Sequence, residues 1–222
     1  MSLLWVDRMA VDVRGASDGV VFIHGLGGSL NAWTPVLPAL PSSRLVRIDL
    51  PGAGRSHKAY ALGESTPHGG KLSVATHADA VRRVCESQGI TRAHVVGHSF
   101  GTIIAQHVAA ETPALVRSLT LFGALAEPPQ TLRDVMTARA PLAREQGLFA
   151  IAENTSEFSL SASSKQTQPV TVAYVREAIG ASDAEGYARN CEALAAAKSA
   201  RLELIRCPTL IVNGDEDQVT VL

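Results

Sequence analysis

A serine between two glycines is the residue of this chain best suited to nucleophilic chemistry. Residues 97–101 read GHSFG; they follow the apolar run 93–96 and open a helical pattern that begins at Phe100. Glycines on both sides permit a tight strand-to-helix turn whose strained serine lifts its hydroxyl above the edge of a sheet. We therefore predict that Ser99 is a nucleophile. The alternative is a helix entry at which Ser99 serves only as the N-cap.

A glycine-rich loop supplies candidate groups for stabilising negative charge. Residues 24–28 read HGLGG and directly follow the apolar run 19–23. Attack on a carbonyl leaves a negative oxygen, which backbone N–H groups hold best when they are aimed at it in advance. The residue after the nucleophile and the loop after this strand supply these groups in such sites, so we assign Phe100 and Leu26. A dinucleotide-binding loop is excluded because the third glycine of GxGxxG is absent.

Three residues within these two motifs are expected to line a pocket: His24, Gly25 and His98. His24 precedes Ser99 by a whole strand–helix–strand unit, so we expect it to hold its loop by hydrogen bonds and not to act as the base. His98 is adjacent to Ser99 in sequence, and the sharp turn should direct the two side chains apart.

An acidic turn follows the last apolar run of the chain. Residues 213–219 read NGDEDQV and come directly after the run 209–213. An acid that orients a histidine for a serine nucleophile follows that serine in chain order in such sites. We assign Asp217 to this role, with Asp215 in reserve; the alternative is a solvated acidic turn.

Short apolar runs alternate with helical patterns along most of the chain, which predicts an α/β fold with a mostly parallel, doubly wound sheet. The predicted strands are 9–13, 19–23, 44–50, 93–97, 117–122 and 209–213, and the predicted helices between them are 30–37, 74–88 and 100–111. Residues 127–200 read as helices and polar loops. We therefore predict a core domain in two parts, 1–126 and 201–222, with a helical cap at 127–200 and an exposed loop at 60–71.

Four motifs together resemble the α/β-hydrolase superfamily in order and spacing: 24–28, 49–56, 97–101 and 214–217. Segments 186–194 and 144–147 are similar to parts of the cap of 3-oxoadipate enol-lactonases. The resemblance implies an α/β-hydrolase fold and hydrolysis of a small ester or lactone through an acyl-enzyme. It implies a small-molecule substrate and neither a cofactor nor a metal. Basic cap residues could meet a substrate carboxylate, although most should be solvated; they are Arg133, Arg139, Arg144, Lys165 and Arg176.

The same family places its catalytic histidine on a loop after one further strand beyond the acid, and no histidine follows Asp217 here. We therefore expect the 222-residue chain to lack the last strand and helix, to turn over little substrate, and to expose a strand edge that could pair with another chain. The alternatives are a non-catalytic ligand-binding protein on a hydrolase scaffold, a cofactor-free haloperoxidase-like enzyme and a carbon–carbon bond hydrolase.

Composition excludes several other classes of protein. Hydrophobic residues make up 46% of the chain and charged residues 18%, with a formal net charge of −1, so neither general disorder nor a basic nucleic-acid or membrane surface is expected. No signal or membrane-spanning segment is apparent, which makes the cytoplasm the expected location. The widely spaced Cys85, Cys191 and Cys207 predict buried free thiols and no disulfide framework. The sequence leaves the oligomeric state open.

Overall fold

The computed structural model describes residues 2–16, 19–41, 43–59 and 71–220, which contain a seven-stranded sheet. Residues 60–70 of the predicted loop 60–71 lie outside the described residues. The strands are β1 (Ser2–Val6), β2 (Met9–Arg14), β3 (Gly19–Ile23), β4 (Arg44–Ile48), β5 (Ala93–His98), β6 (Val116–Phe122) and β7 (Thr209–Val212).

The sheet is mostly parallel, as the sequence predicts. Its strand order is β1-β2-β4-β3-β5-β6-β7. The pairs β1–β2 and β2–β4 are antiparallel, and the four pairs from β4 to β7 are parallel. Helix α1 (Val74–Ser87) lies between β4 and β5 in the chain, and α2 (Phe100–Glu111) lies between β5 and β6. All five residues of the central strand β3 are buried, which explains its continuous apolar run. The parallel strands end at one edge, where their following loops can meet.

One predicted helix differs in type and one strand was not predicted, each for a physical reason. The helix predicted at 30–37 is a 3-10 helix, Leu30–Ala39, that contains Pro35 and Pro38. Proline has no backbone N–H, so it cannot complete α-helical bonding there. Strand β1 was not predicted, because an edge strand needs no buried pattern: its Leu3 and Trp5 are 45% and 59% exposed.

Both edges of the sheet present apolar side chains. Strand β7, at the edge opposite β1, leaves Leu210 58% and Ile211 50% exposed. Exposed apolar edges can pair with other chains, and such pairing by this protein stays a prediction. The cysteines are free, with Cys85 and Cys191 buried and Cys207 half-buried.

Five α-helices lie between β6 and β7, and we call them the cap helices. They are α3 (Gln130–Gln146), α4 (Phe149–Phe158), α5 (Ala162–Thr167), α6 (Pro169–Gly180) and α7 (Ala184–Ala195). Within the described ranges, no helix is both long enough and apolar enough to cross a bilayer. The cap helices and the loops at the ends of the parallel strands together enclose one cavity.

A buried hydrogen-bonded chain fastens α7 to the rest of the fold. Asn190 on α7 donates from Nδ2 to the carbonyl of Pro51 over 3.1 Å, and its Oδ1 lies 2.8 Å from Nε2 of His77 on α1. Because Oδ1 can only accept, His77 Nε2 carries the proton and donates it. Burial lowers the pKa of His77 to about 4, so the imidazole stays neutral.

Candidate active site

Ser99 occupies a strained turn between β5 and α2. Its φ of 50° and ψ of −119° lie in a region that non-glycine residues rarely adopt. A Cβ at Gly101 would lie 2.4 Å from the carbonyl oxygen of Ile23, and one at Gly97 would lie 2.6 Å from the carbonyl oxygen of Gly101. Both glycines are therefore required by close backbone approach, and the strained turn points to a functional role for the serine.

The loop after β3 runs directly beside this turn. A Cβ on Gly25 would lie 3.1 Å from Cβ of Ser99. The backbone N–H groups of Leu26 and Phe100 make no hydrogen bond to any residue that the structure describes. Two donors without acceptors thus lie on the two segments that meet at the serine, and a site that stabilises an oxyanion requires such donors.

His24 holds this loop from behind. Its Nε2 accepts the N–H of Leu50 over 3.1 Å, so Nδ1 carries the proton and donates to the carbonyl of Gly25 over 2.8 Å. Burial lowers the pKa of His24 and keeps the ring neutral. The expectation that His24 lines the pocket is wrong: its side chain is 1% exposed and lies outside the cavity wall, because both ring nitrogens are bonded to backbone.

Asp49, which belongs to the motif 49–56, is a second buried anchor of the loop. Its carboxylate is fully buried; Oδ1 accepts the N–H of Leu30 over 2.6 Å and Oδ2 accepts that of Arg55 over 2.9 Å. A charged residue at the end of the apolar run 44–50 is the signal that could have identified it, since buried carboxylates need fixed donors.

Asp217 reaches the cavity, whereas Asp215 is exposed and does not line it. Both carboxylate oxygens of Asp217 are held within its own turn. Oδ1 accepts the N–H groups of Val219 and Thr220 over 2.8 and 2.9 Å, and Oδ2 accepts the Thr220 hydroxyl. Burial alone would raise the pKa of Asp217, but these hydrogen bonds outweigh it and hold the pKa below its ordinary value. Asp217 is therefore an anion at neutral pH.

The cavity has a volume of about 450 Å³, within the range of small-molecule sites. Its sheet side is formed by residues that follow the parallel strands, among them Gly25, Leu26, Ser99 and Asp217. Its cap side is largely apolar and includes Leu132, Met136, Val175, Ile179 and Leu194. The structure thus brings the predicted nucleophile, acid and one oxyanion donor to one apolar chamber.

His98 is the one histidine, among those that the structure describes, whose side chain lines this cavity. Burial, with the neighbouring His24, lowers the pKa of His98, and Asp217 partly opposes the shift. His107 lies elsewhere, with its ring nitrogens against Glu111 and the carbonyl of Lys198. Nowhere in the described ranges do three His, Cys, Asp or Glu side chains form a group that could hold a metal ion.

Residues 19–222 match the family model of the alpha/beta hydrolase fold. The enol-lactonase from Burkholderia xenovorans LB400 has a similar structure, with a TM-score of 0.82 and 27% identity over 96% of this chain and 81% of that chain. Two curated relatives match only in part. One is the dihydrolipoyllysine-residue acetyltransferase component of the acetoin cleaving system of Cupriavidus necator, which is 37% identical over 48% of this chain and 26% of that protein. The other is RutD of Variovorax paradoxus, provisionally named a carbamate hydrolase, which is 34% identical over 53% of this chain and 42% of that protein. The chain therefore spans less than half the length of these two relatives. The family model nevertheless matches almost the whole chain, and the chain belongs to the α/β-hydrolase family.

Proposed function

We propose that this protein is a serine hydrolase of small esters or lactones that acts through an acyl-enzyme on Ser99. One observation carries the proposal: the strained Ser99 lines the apolar cavity, and the neighbouring N–H groups of Leu26 and Phe100 have no acceptor in the described residues. The similar enol-lactonase structure supports lactones, and the family match supports hydrolysis.

The chemistry follows from these groups. Ser99 Oγ attacks the carbonyl carbon and gives its proton to a base, and the N–H groups of Leu26 and Phe100 hold the resulting oxyanion. Collapse breaks the bond to the alcohol oxygen, which takes up the proton; in a lactone, that alcohol stays attached to the acyl group. Water then attacks the acyl-enzyme and releases the acid and Ser99. Asp217, held as an anion, orients and stabilises the imidazolium of the base.

The scheme also needs a base. At the cavity wall, the described residues offer one imidazole, that of His98. No histidine follows Asp217 in the 222 residues, and the α/β-hydrolase resemblance places the base after the acid. We therefore propose that His98 does not act as the base.

The test is acylation of Ser99 by p-nitrophenyl acetate, followed by intact-protein mass spectrometry, with and without added imidazole. We expect one acetyl group on Ser99 and none on Ser99→Ala. We also expect added imidazole to raise turnover above the rate measured with Ser99→Ala, because the free base can accept the Ser99 proton. Ser87→Ala is the matched control, since that exposed hydroxyl bonds only to Val84 and Gln88 at the end of α1 among the described residues. A p-nitrophenyl carbamate run in parallel tests carbamates, which the name of the Variovorax relative suggests. Labelling that persists in Ser99→Ala would refute the proposal, and turnover abolished by His98→Gln would make His98 the base.

A second candidate is a ligand-binding protein without catalysis. The observation that favours it is the single imidazole, His98, at the described cavity wall. This candidate requires a ligand that binds in the cavity while Ser99 stays unmodified by both aryl esters, even at saturating imidazole.

A further inference from the structure

The cap helices carry six arginine and lysine side chains, and five of them have a carboxylate partner. Arg133 pairs with Glu127, Arg144 with Glu185 and Glu192, Lys165 with Glu157, Arg176 with Glu153, and Arg189 with Glu185. Arg139 is the sixth, and no carboxylate in the described residues lies within ion-pair distance of it.

Arg139 is also the cap cation that lines the cavity containing Ser99. Its side chain, on α3, is half-buried, and Nη1 donates to the hydroxyl of Tyr187 on α7 over 3.4 Å. Burial raises the pKa of Tyr187 to about 12, so this partner is a neutral hydroxyl and not a counter-charge. A guanidinium is thus partly removed from water beside an apolar chamber without an anion to compensate it.

Two hydroxyl groups in the same cavity wall reinforce this interpretation. Thr155 Oγ1 on α4 and Tyr174 Oη on α6 are buried and make no hydrogen bond of good geometry. The pKa of Tyr174 is raised chiefly by burial, which the nearby Ser29 hydroxyl opposes. Buried polar groups are normally satisfied, and a ligand with oxygen acceptors would satisfy them here.

We infer that the cavity binds a ligand through a carboxylate on Arg139. The planar guanidinium can donate two parallel hydrogen bonds to a carboxylate, and such charge-assisted bonds are strong where water is excluded. Ser99 lies on the sheet side of the cavity and Arg139 on the cap side, so the ligand spans the chamber with its carboxylate remote from the carbonyl. That the bound ligand is also hydrolysed rests on the proposed function. The hydrolase then acts on carboxylate-bearing esters or lactones, such as half-esters of dicarboxylic acids.

A purely structural role for Arg139 is the competing explanation, because it contacts Tyr187 between two packed cap helices. The two explanations differ in one measurable respect. A structural residue affects all ligands of the cavity alike, whereas a carboxylate-binding residue affects only ligands that carry the charge.

The experiment measures binding in a Ser99→Ala background, so that no acylation is needed. Isothermal titration gives the Kd of monomethyl glutarate and of its neutral analogue, dimethyl glutarate. We expect the half-ester to bind more tightly, and Arg139→Gln to weaken it by about tenfold to one-hundredfold without changing the diester. Arg139→Lys, which keeps the charge but loses the fork, should give an intermediate Kd. Arg144→Gln on the same helix is the matched control, since its guanidinium pairs with exposed Glu185 and Glu192.

Two results would overturn the inference. One is equal binding of the half-ester and the diester by the Ser99→Ala protein; the other is an equal loss of both ligands in Arg139→Gln. Neither bears on the acyl-enzyme, which the aryl-ester labelling of Ser99 tests separately. Conversely, selective binding of the half-ester by a protein whose Ser99 never becomes acylated would support the carboxylate site and refute only the hydrolase.

Discussion

Replacement of Asn190 by leucine tests how the cap helices are held on the sheet. Asn190 is 5% exposed and His77 fully buried, so the change leaves the His77 Nε2–H and the Pro51 carbonyl without partners in a dry interior. An unpaired buried group costs about 1–3 kcal/mol. Two such groups predict a loss of about 2–6 kcal/mol in the free energy of unfolding, which is a large part of the stability of an ordinary domain.

A second substitution separates this cost from simple loss of packing. His77→Leu removes the stranded N–H, and it also removes Nδ1, which has no hydrogen-bond partner in the described structure. The double variant should therefore be more stable than the sum of the two single losses predicts, by about 1–3 kcal/mol. Part of the loss remains, because the Pro51 carbonyl stays unpaired.

The assay is urea unfolding of the four proteins, followed by tryptophan fluorescence with the m-values compared. Asn31→Leu is the matched control, since Asn31 is exposed and should change stability by less than about 0.5 kcal/mol. Additive single losses, with a coupling below about 0.5 kcal/mol, would refute the reasoning, because the buried bond would then contribute nothing of its own.

Three further changes test other parts of the fold. Burial lowers the pKa of His77 from 6.5 to about 4, so the neutral ring contributes its full stabilisation above pH 6.5. The free energy of unfolding should fall by about 3 kcal/mol as the pH drops towards 4. Urea midpoints measured across this range should show the fall, and they should depend less on pH in His77→Gln. Gly101→Ala places a Cβ 2.4 Å from a β3 carbonyl oxygen and should abolish Ser99 labelling or folding, whereas Gly180→Ala meets only a side-chain carbon at 3.8 Å and should be neutral or stabilising by about 0.5–1 kcal/mol in a melting scan. Asp49→Asn turns an amide N–H₂ towards one of two backbone donors, and we expect a loss of about 2 kcal/mol in urea unfolding; an unchanged midpoint would contradict the buried-anchor role.

Local chemistry explains what the sequence predicts correctly. Strand β3 is buried along its whole length, so its side chains had to be apolar throughout, and that run is visible without a structure. Helix α2 begins at Phe100 directly after the serine turn, as predicted. The Ser73 hydroxyl accepts the N–H of Thr76, and this N-cap contact between residues three apart in the chain marks the start of α1. In each case the deciding residues are neighbours in the chain.

Long-range partners explain what the sequence does not predict. Arg139 is one of several similar cap cations in sequence, and only its neighbours in space leave it without a carboxylate. His77 and Asn190 are 113 residues apart, and their hydrogen bond depends on how the cap helices pack. His24 was expected in the pocket because it lies in a loop motif, but its Nε2 accepts the N–H of Leu50, which follows β4 in the chain. Such roles follow from pairing across the fold and not from local pattern.

Cap side chains pack directly against the loop 24–28, which contains the proposed oxyanion donor Leu26. A Cβ at Gly27 would lie 2.8 Å from Ile179 on α6 and 3.1 Å from Tyr187 on α7, so these cap side chains press against the loop that carries one oxyanion donor. Tyr187 is also the partner of Arg139, and Asn190 fastens the same helix to the fold. A ligand held by Arg139 therefore bears on the same side chain that positions the loop. Changes at Tyr187 should consequently alter both the affinity for the ligand and the rate of Ser99 acylation, because Tyr187 contacts both Arg139 and the loop 24–28.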